Sequence, residues 1–375
     1  MNLIIAGDLA PTESNMHLFN SADITTLFGE ELLEVWNSAD YRILNLEVPL
    51  SNKEEPIPKY GPNLIAPTET FNGIKALKPS LVTLANNHIL DQGIQGLNTT
   101  VNLFNETGIP FVGVGDNLNE ATKPFILQHQ GIKIGVYACA ENEFSIATSK
   151  TAGVNPFDPL LSLDHIASLK EKCDYVIVLH HGGKEHYRYP SPYLKKVCRR
   201  MTEKGADFVV CQHSHCIGSY EDFKGSTIVY GQGNFLFDYS KKNEFWETSL
   251  LIKLNFTNVL TVDYIPLVKK DNGVRLAVDK GEHILKEFQL RSKEILEEGF
   301  IEEKYQEFAK ESFQSYIRKL SGFNKWLTRI DRRLLNGMLL RNKYSRKKLL
   351  AIENTIESEA HRELILKGLH LENKE

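Results

Sequence analysis

No apolar run reaches the roughly 18 residues that a membrane-spanning helix needs, so none is expected. The opening stretch Met1-Asn2-Leu3-Ile4-Ile5-Ala6-Gly7-Asp8 lacks a basic start, and its apolar part is short for a secretion signal. It reads as a first buried strand. Cysteine is scarce: Cys139, Cys173, Cys198, Cys211 and Cys216 are odd in number and scattered. That argues against a disulfide framework and fits a reducing cytoplasm, the expected location. An excess of positive charge is also missing. A net charge of −4 argues against a nucleic-acid binder with one dominant basic field. There is no internal repeat and no low-complexity linker.

What is present is a 375-residue chain, 42% hydrophobic and 25% charged. That suffices for a large core, as two domains or one large domain with an appendage. Up to about Lys280, short β-rich runs alternate with amphipathic stretches. Strands are expected at Leu3–Ala6, Tyr41–Leu46, Leu81–Ala85, Lys133–Ala138, Tyr175–Leu179, Phe208–Cys211 and Thr227–Tyr230. Helices are expected at Phe28–Asn37, Gly93–Thr107 and Ser191–Lys204. This alternation predicts an α/β fold. After Gly231 the pattern turns to strands, with Glu247–Phe256 and Val259–Pro266 able to pair and Gly273–Val278 beyond, an antiparallel end to the sheet.

From about His283 the periodicity is helical, which predicts a main domain over residues 1–282 and a helical region over 283–375. Between Arg318 and Lys348 stand eleven Lys/Arg and one acid, Asp331, a net +10 that leaves −14 for the rest of the chain. Such a block could hold the chain on an anionic membrane surface or bind a polyanion. The plainer reading, and the preferred one, is a solvated helical face whose leucine stripe packs on the main domain.

The residues that carry chemistry sit where strands end. Asp8 follows the first strand, and Asn45 and Glu47 close the second. Asn86-Asn87-His88 follows Leu81–Ala85, with Asp91 just beyond. His180-His181 follows Tyr175–Leu179, and His213 and His215 follow Phe208–Cys211. In an open α/β sheet, ligands collect at the carboxyl ends of the strands. Carboxylates and imidazoles together suit Mn, Fe or Zn, and a carboxylate bridge can hold two such ions. In an extended strand, residues two apart share a face, which would aim His213 and His215 at one site. Each residue alone has a plainer role open: Asp8 in a turn, Glu47 in a loop before Pro49, Asn87 and His88 as helix caps, a histidine as a bonded core residue. Five coincident strand ends favour a site binding one or two divalent ions. Cys211 and Cys216 flank His213 and His215 but read as small apolar residues, since neither has a Cys-x-x-Cys partner.

Taken in order, Asp8, Asn45-Leu46-Glu47, Ala85-Asn86-Asn87-His88-Ile89-Leu90-Asp91, His180-His181-Gly182-Gly183-Lys184-Glu185, Gly205-Ala206-Asp207, His213-Ser214-His215 and Tyr230-Gly231-Gln232-Gly233-Asn234-Phe235 resemble the CapA family of capsule and poly-γ-glutamate synthesis proteins. That family falls within the calcineurin-like metallophosphatase superfamily. The resemblance runs from Met1 to about Val268 and leaves out the helical C-terminal part. It implies a metallophosphatase-like four-layer α/β/β/α sandwich, here with a C-terminal helical extension, and a two-metal centre at one edge. By motif position, Asp8 and His215 would bind the first metal, Glu47 would bridge, and Asn87, His180 and His213 would bind the second. His88 would be the acid or anion-stabilising residue. The superfamily's histidine two residues after the first aspartate is Ala10 here, so the first position loses a ligand, which Glu185 or His181 could replace.

The candidate catalytic residues are therefore His88, Asp91 and Glu185. Lys184, Tyr187 and Arg188, in a segment dense in charge and aromatics, are the candidate substrate-binding residues, with an ordinary solvated loop as the other reading of Arg188. Asn86, Asp91 and Asn234 would orient ligands or loops. Three functions are open. One is a metal-dependent, phosphoesterase-like hydrolase of an anionic small-molecule or polymer substrate. A second is an epimerase of peptides that polarises a carbonyl at the same site. The third is a non-catalytic accessory subunit whose natural partner is a membrane-associated polymer synthase.

Overall fold

The computed structural model describes residues 1–238, 244–257, 259–271 and 275–372. Its first strand, Asn2–Ala10, lies inside an eight-stranded sheet, which is why Leu3, Ile4, Ile5 and Ala6 are apolar on both faces and fully buried. On one side it pairs in parallel with Tyr41–Leu46, followed by Leu81–Thr83 and Phe111–Val112. On the other side two strands share its flank. Thr248–Phe256 runs antiparallel against Asn2 to Ile5, and Asn234–Phe237 runs parallel against Asp8 and Ala10. Leu260–Lys270 and Arg275–Val278 complete this side, both antiparallel. The expected antiparallel end is thus present; Gly273, named in it, lies outside the described residues.

The second sheet has six strands in the order Tyr220–Phe223, Ser226–Val229, Phe208–Gln212, Tyr175–His181, Ile132–Ala140, Phe125–His129. Its inner pairings are parallel and its two outermost are antiparallel. One core joins the sheets, with Leu3, Ile5 and Leu44 from the first meeting Ile134, Ile177, Leu179 and Val210 from the second. The alternate residues Cys139, Val176, Val178, Val209 and Cys211 form a separate core with the helices Ser162–Lys170 and Pro192–Glu203. Leu27, Leu32 and Trp36 of Ile24–Asn37 and Leu97 and Phe104 of Gly93–Thr107 pack on the first sheet's core. The layers are therefore helix, sheet, sheet, helix, the metallophosphatase-like arrangement.

Local signals explain the helices. In Pro192–Glu203 the Ser191 side chain accepts the Leu194 N–H, proline fills the first turn, and Leu194, Val197, Cys198 and Met201 are buried at helical spacing. Gly93–Thr107 stops where Gly108 takes φ +68°, a left-handed cap open to glycine. The helix expected from Phe28 starts at Ile24, but Gly29 breaks it.

The described chain divides into two compact units, Met1–Ile301 and Glu302–Glu375. The helix His283–Glu294 belongs to the first: Phe288 packs on Tyr220 and Tyr264, and Arg291 Nε donates to the Gly218 carbonyl at 2.8 Å. The second unit consists of helices, among them Lys325–Arg333, Met338–Lys343, Arg346–Glu357 and Glu359–Glu372. The last two bury no residue, and Leu350, Ile356, Leu364 and Leu369 are exposed. Among the described residues no helix is long and apolar enough to cross a membrane.

Candidate metal centre

Three strand ends of the first sheet are in register at one place: Asp8 stands opposite both Asn45 and Asn234. The first strand is irregular between Ile5 and Asp8, and Gly7 sits in that interval. A Cβ on Gly7 would come within 2.1 Å of the Gly233 carbonyl, so only glycine lets the two segments approach. Asp8 is held from two sides. Asn45 Nδ2 donates to its Oδ1 at 2.7 Å, and the His213 N–H donates to its Oδ2 at 3.1 Å. Asn86 braces the neighbouring turn, giving Nδ2 to the Leu46 carbonyl at 2.8 Å and accepting the Ile89 N–H at 2.9 Å.

The second sheet supplies imidazoles. Here the structure corrects one expectation. The strand expected to end at Leu179 runs on to His181, so His180 and His181 point to opposite faces. His180 was expected as a ligand. Its ring instead faces the helix layer, with Nδ1 3.6 Å from Cys139 Sγ and a T-shaped contact with Phe157. His181 shares its face with Ile177 and Leu179 and enters the space between the sheets. Its Nε2 lies 3.0 Å from Asn87 Oδ1, 3.2 Å from His213 Nδ1 and 3.3 Å from Glu47 Oε1. These are the spacings of ligand atoms around a cation with bonds of about 2.0–2.2 Å.

The route of His213 and His215 into the site also differs. They do not lie on an extended strand, which stops at Gln212. Both adopt left-handed backbone, φ +81° and +56°, and this turn is what brings their rings together. Such conformations cost about 1–3 kcal/mol each and persist where the surroundings fix them. Asn234 Oδ1 holds His215 Nδ1 at 2.8 Å, and Trp246 stacks on the His215 ring with centroids 4.4 Å apart.

Two donor groups result: Glu47 with His181 and His213, and Asp8 with Glu47 and His215, each with its ligand atoms within 4.8 Å of one another. Glu47 is common to both. It is fully buried, and neither carboxylate oxygen meets a hydrogen-bond donor in acceptable geometry. Burial pushes Glu47 up to about 8; burial and then the Glu47 charge push Asp8 up to about 7. Burial lowers His181, His213 and His215, the last to about 3, so the rings are neutral with lone pairs to offer. Buried acceptors converging without a donor are costly unless a cation answers them. The oxygen and nitrogen set therefore fits divalent Mn, Fe or Zn. Asn87 can add a side-chain oxygen to the second group. Ala10 is 1% exposed and offers nothing to the first, and His181 joins the second group instead of replacing the missing ligand.

Beside the cluster, His88 Nδ1 lies 2.6 Å from Asp91 Oδ2. Asp91 is fully buried, pairs with Lys59 and accepts the Leu64 N–H at 2.6 Å, so it fixes the His88 ring from behind. Lys59 was not anticipated, because it comes from a loop with no strand-end signal. Glu143 was also missed; it accepts Asn87 Nδ2 at 3.2 Å. Lys184 and Glu185 are exposed, and the Glu185 charge is felt at Glu47 and His181. Tyr187 is buried against Tyr189. Arg188 Nη1 donates to the Ile217 carbonyl at 3.3 Å, with its guanidinium 4.7 Å from the Phe245 ring centre.

A two-sheet sandwich flanked by helices, with carboxylates and imidazoles gathered at its strand ends, is the architecture that the family resemblance implies. Residues 2–239 match the family described as bacterial capsule synthesis protein PGA_cap, and the chain belongs to that family. It is 31% identical over 173 residues to the PGA biosynthesis protein CapA of Bacillus subtilis, covering 45% of this chain and 46% of the relative. It is 28% identical over 227 residues to the capsule biosynthesis protein CapA of Bacillus anthracis, covering 58% and 55%. A probable polyglutamine synthesis accessory protein of Mycobacterium tuberculosis is 28% identical over 226 residues, covering 56% and 60%. The chain thus spans about half the length of the curated relatives it matches. Among solved structures, a putative 5'-nucleotidase from Staphylococcus aureus aligns with TM-score 0.46 at 13% identity, covering 77% of this chain and 58% of that one.

Proposed function

We propose that this chain is a metal-dependent hydrolase of phosphoesterase type that acts on an anionic substrate during capsule or poly-γ-glutamate assembly, beside a membrane-associated synthase. The observation that carries the proposal is Glu47, buried between two donor groups with both oxygens unanswered. Asp8, Glu47 and His215 would hold one ion, and Glu47, Asn87, His181 and His213 the other. Bound divalent ions supply Lewis acidity at a substrate oxygen and acidify a water. His88 holds a proton for the leaving oxygen, and Asp91 with Lys59 keeps its ring in place. Lys184 draws anionic substrate to the rim.

Purified full-length chain supplied with Mn, Fe or Zn should bind metal and turn over generic phosphomonoesters or diesters. Bound metal without turnover of either class would overturn the hydrolase reading. Two observations favour other uses of the site. The first donor group has three protein donors, since Ala10 adds none, and this leaves room to polarise a peptide carbonyl as an epimerase would. Deuterium uptake at a substrate α-carbon marks that outcome. The Mycobacterium tuberculosis relative is named an accessory protein, which favours a non-catalytic subunit. Polymer production that survives alanine at Asp8, His181 and His213 marks that one.

A further inference from the structure

The basic block of the C-terminal unit is a second place where chemistry is concentrated, and the metal centre makes no use of it. The single acid between Arg318 and Lys348, Asp331, is 0% exposed. Its Oδ1 accepts the Leu339 N–H at 2.8 Å, so its charge is turned inward to cap a helix. The charge this block presents to water is therefore all cationic. The helix Lys325–Arg333 is started by Asn324, whose side chain accepts the Leu327 N–H at 2.9 Å. Its spacing puts Lys325, Arg329, Arg332 and Arg333 on one side. With Phe323 and Thr328 they line a cavity of 360 Å³. Among the described residues, none of these four cations has an ion-pair partner. Trp326 follows Lys325 in the same helix and is 68% exposed, and Leu334 at the helix end and Leu320 before it are 76% and 59% exposed.

We infer that this unit docks on an anionic membrane surface, with Trp326, Leu320 and Leu334 entering the interface and the Arg329, Arg332 and Arg333 guanidiniums receiving lipid phosphates. Charge complementarity names the sign of the partner, and the apolar side chains decide its kind. An acidic polymer would pair the cations but leave Trp326 and Leu334 in water. A phospholipid interface takes up both, since tryptophan and leucine seat at the headgroup boundary while arginine bonds the phosphates above them. The unit would keep the chain beside a membrane-held synthase, so the inference deepens the proposed setting. It does not depend on any metal or reaction at the strand-end cluster.

The test is flotation of the full chain with vesicles of phosphatidylcholine alone and of phosphatidylcholine carrying about one third phosphatidylglycerol. Binding is expected only to the anionic vesicles, weakening as salt rises. Each cation near such a surface contributes about fivefold, so R329Q/R332Q/R333Q should lower the affinity roughly a hundredfold. Trp326→Ala should weaken binding without altering its salt dependence, and Trp326→Phe should restore part of it. Equal binding to both vesicle types would overturn the inference. So would capture by soluble polyglutamate with vesicles ignored. Should the triple variant fail to fold by circular dichroism, the salt dependence of the unaltered chain and the Trp326→Phe variant decide the matter. Phosphoesterase turnover in detergent-free buffer reads the metal centre separately, so loss of one result leaves the other intact.

Discussion

The strand Tyr175–His181 has two faces, and at its end they hold neighbouring histidines in opposite chemistry. Both rings are buried, at 1% and 2% exposure. His180 looks toward the helices. It meets Cys139 Sγ, the Phe157 ring and the Gly182 backbone, where a Cβ would come within 2.6 Å of its Nε2. Nearby, Cys198 and Cys211 lie with their sulfurs 3.5 Å apart, and burial pushes the Cys139 and Cys198 thiols toward the neutral form. Nothing on that face calls for a charge. His181 looks between the sheets, where Glu47, Asn87 and His213 bring acceptors to its Nε2. Equal burial therefore does not mark a site. Unanswered acceptors do, because their cost in a low-dielectric interior falls only when a cation arrives.

The largest break in that contrast should come from Glu47→Ala. Removing the shared carboxylate should empty both ion positions and cost several kcal/mol of transition-state stabilisation, roughly a thousandfold in kcat/KM. Metal content and turnover measured on one preparation check it. Next comes the pair of histidines. His181→Ala should lose one ion and on the order of a hundredfold in rate, a smaller loss than Glu47 because the other donor group survives. His180→Ala should keep its metal and rate while losing about 1–3 kcal/mol of stability, read from a urea melt. If the two variants behave alike, the two-face reading fails.

Asp91→Asn sharpens the contrast on the catalytic side. Metal content should stay and kcat should fall about 10–100-fold, because His88 loses its orienting carboxylate. A smaller effect is expected from pH. Without metal, Asp8 and Glu47 retain protons up to about 7 and about 8 when folded, whereas unfolded they have lost them well below neutrality. Between pH 6.5 and 8 the native state then holds more protons than the unfolded one, so stability falls as pH rises. The buried histidines act oppositely, but only below their ordinary value of 6.5, where the unfolded chain takes up protons that folded His215 refuses down to about 3. Added divalent metal should accordingly raise Tm more at pH 8 than at pH 6.5, and an equal rise at both would contradict the assignment. The least effect belongs to the thiol face: Cys198→Ser should cost about 1–2 kcal/mol for burying a hydroxyl and leave metal binding alone.

Much of the candidate site was legible from the coincidence of strand ends. Asp8, Glu47, Asn87, His213 and His215 were readable because each follows an apolar strand, and strand ends of a parallel sheet share an edge. Lys59 was not, since it joins Asp91 from a loop far from any strand end. Neither was the interaction of Trp246 with His215, which follows from where the 244–246 turn falls in space.

Sequence alone determined the alternation of strands and helices, the gathering of acids and imidazoles, and the separate basic character of the C-terminal helices, because hydrophobic period and charge are local properties of the chain. Tertiary structure decided that His181 faces the cluster and His180 the helices. It also decided that His213 and His215 converge through left-handed turns and that Glu47 stands in both donor groups. Alternation along a strand separates its two faces, but only the pairing of one sheet against another says which of them is the inside.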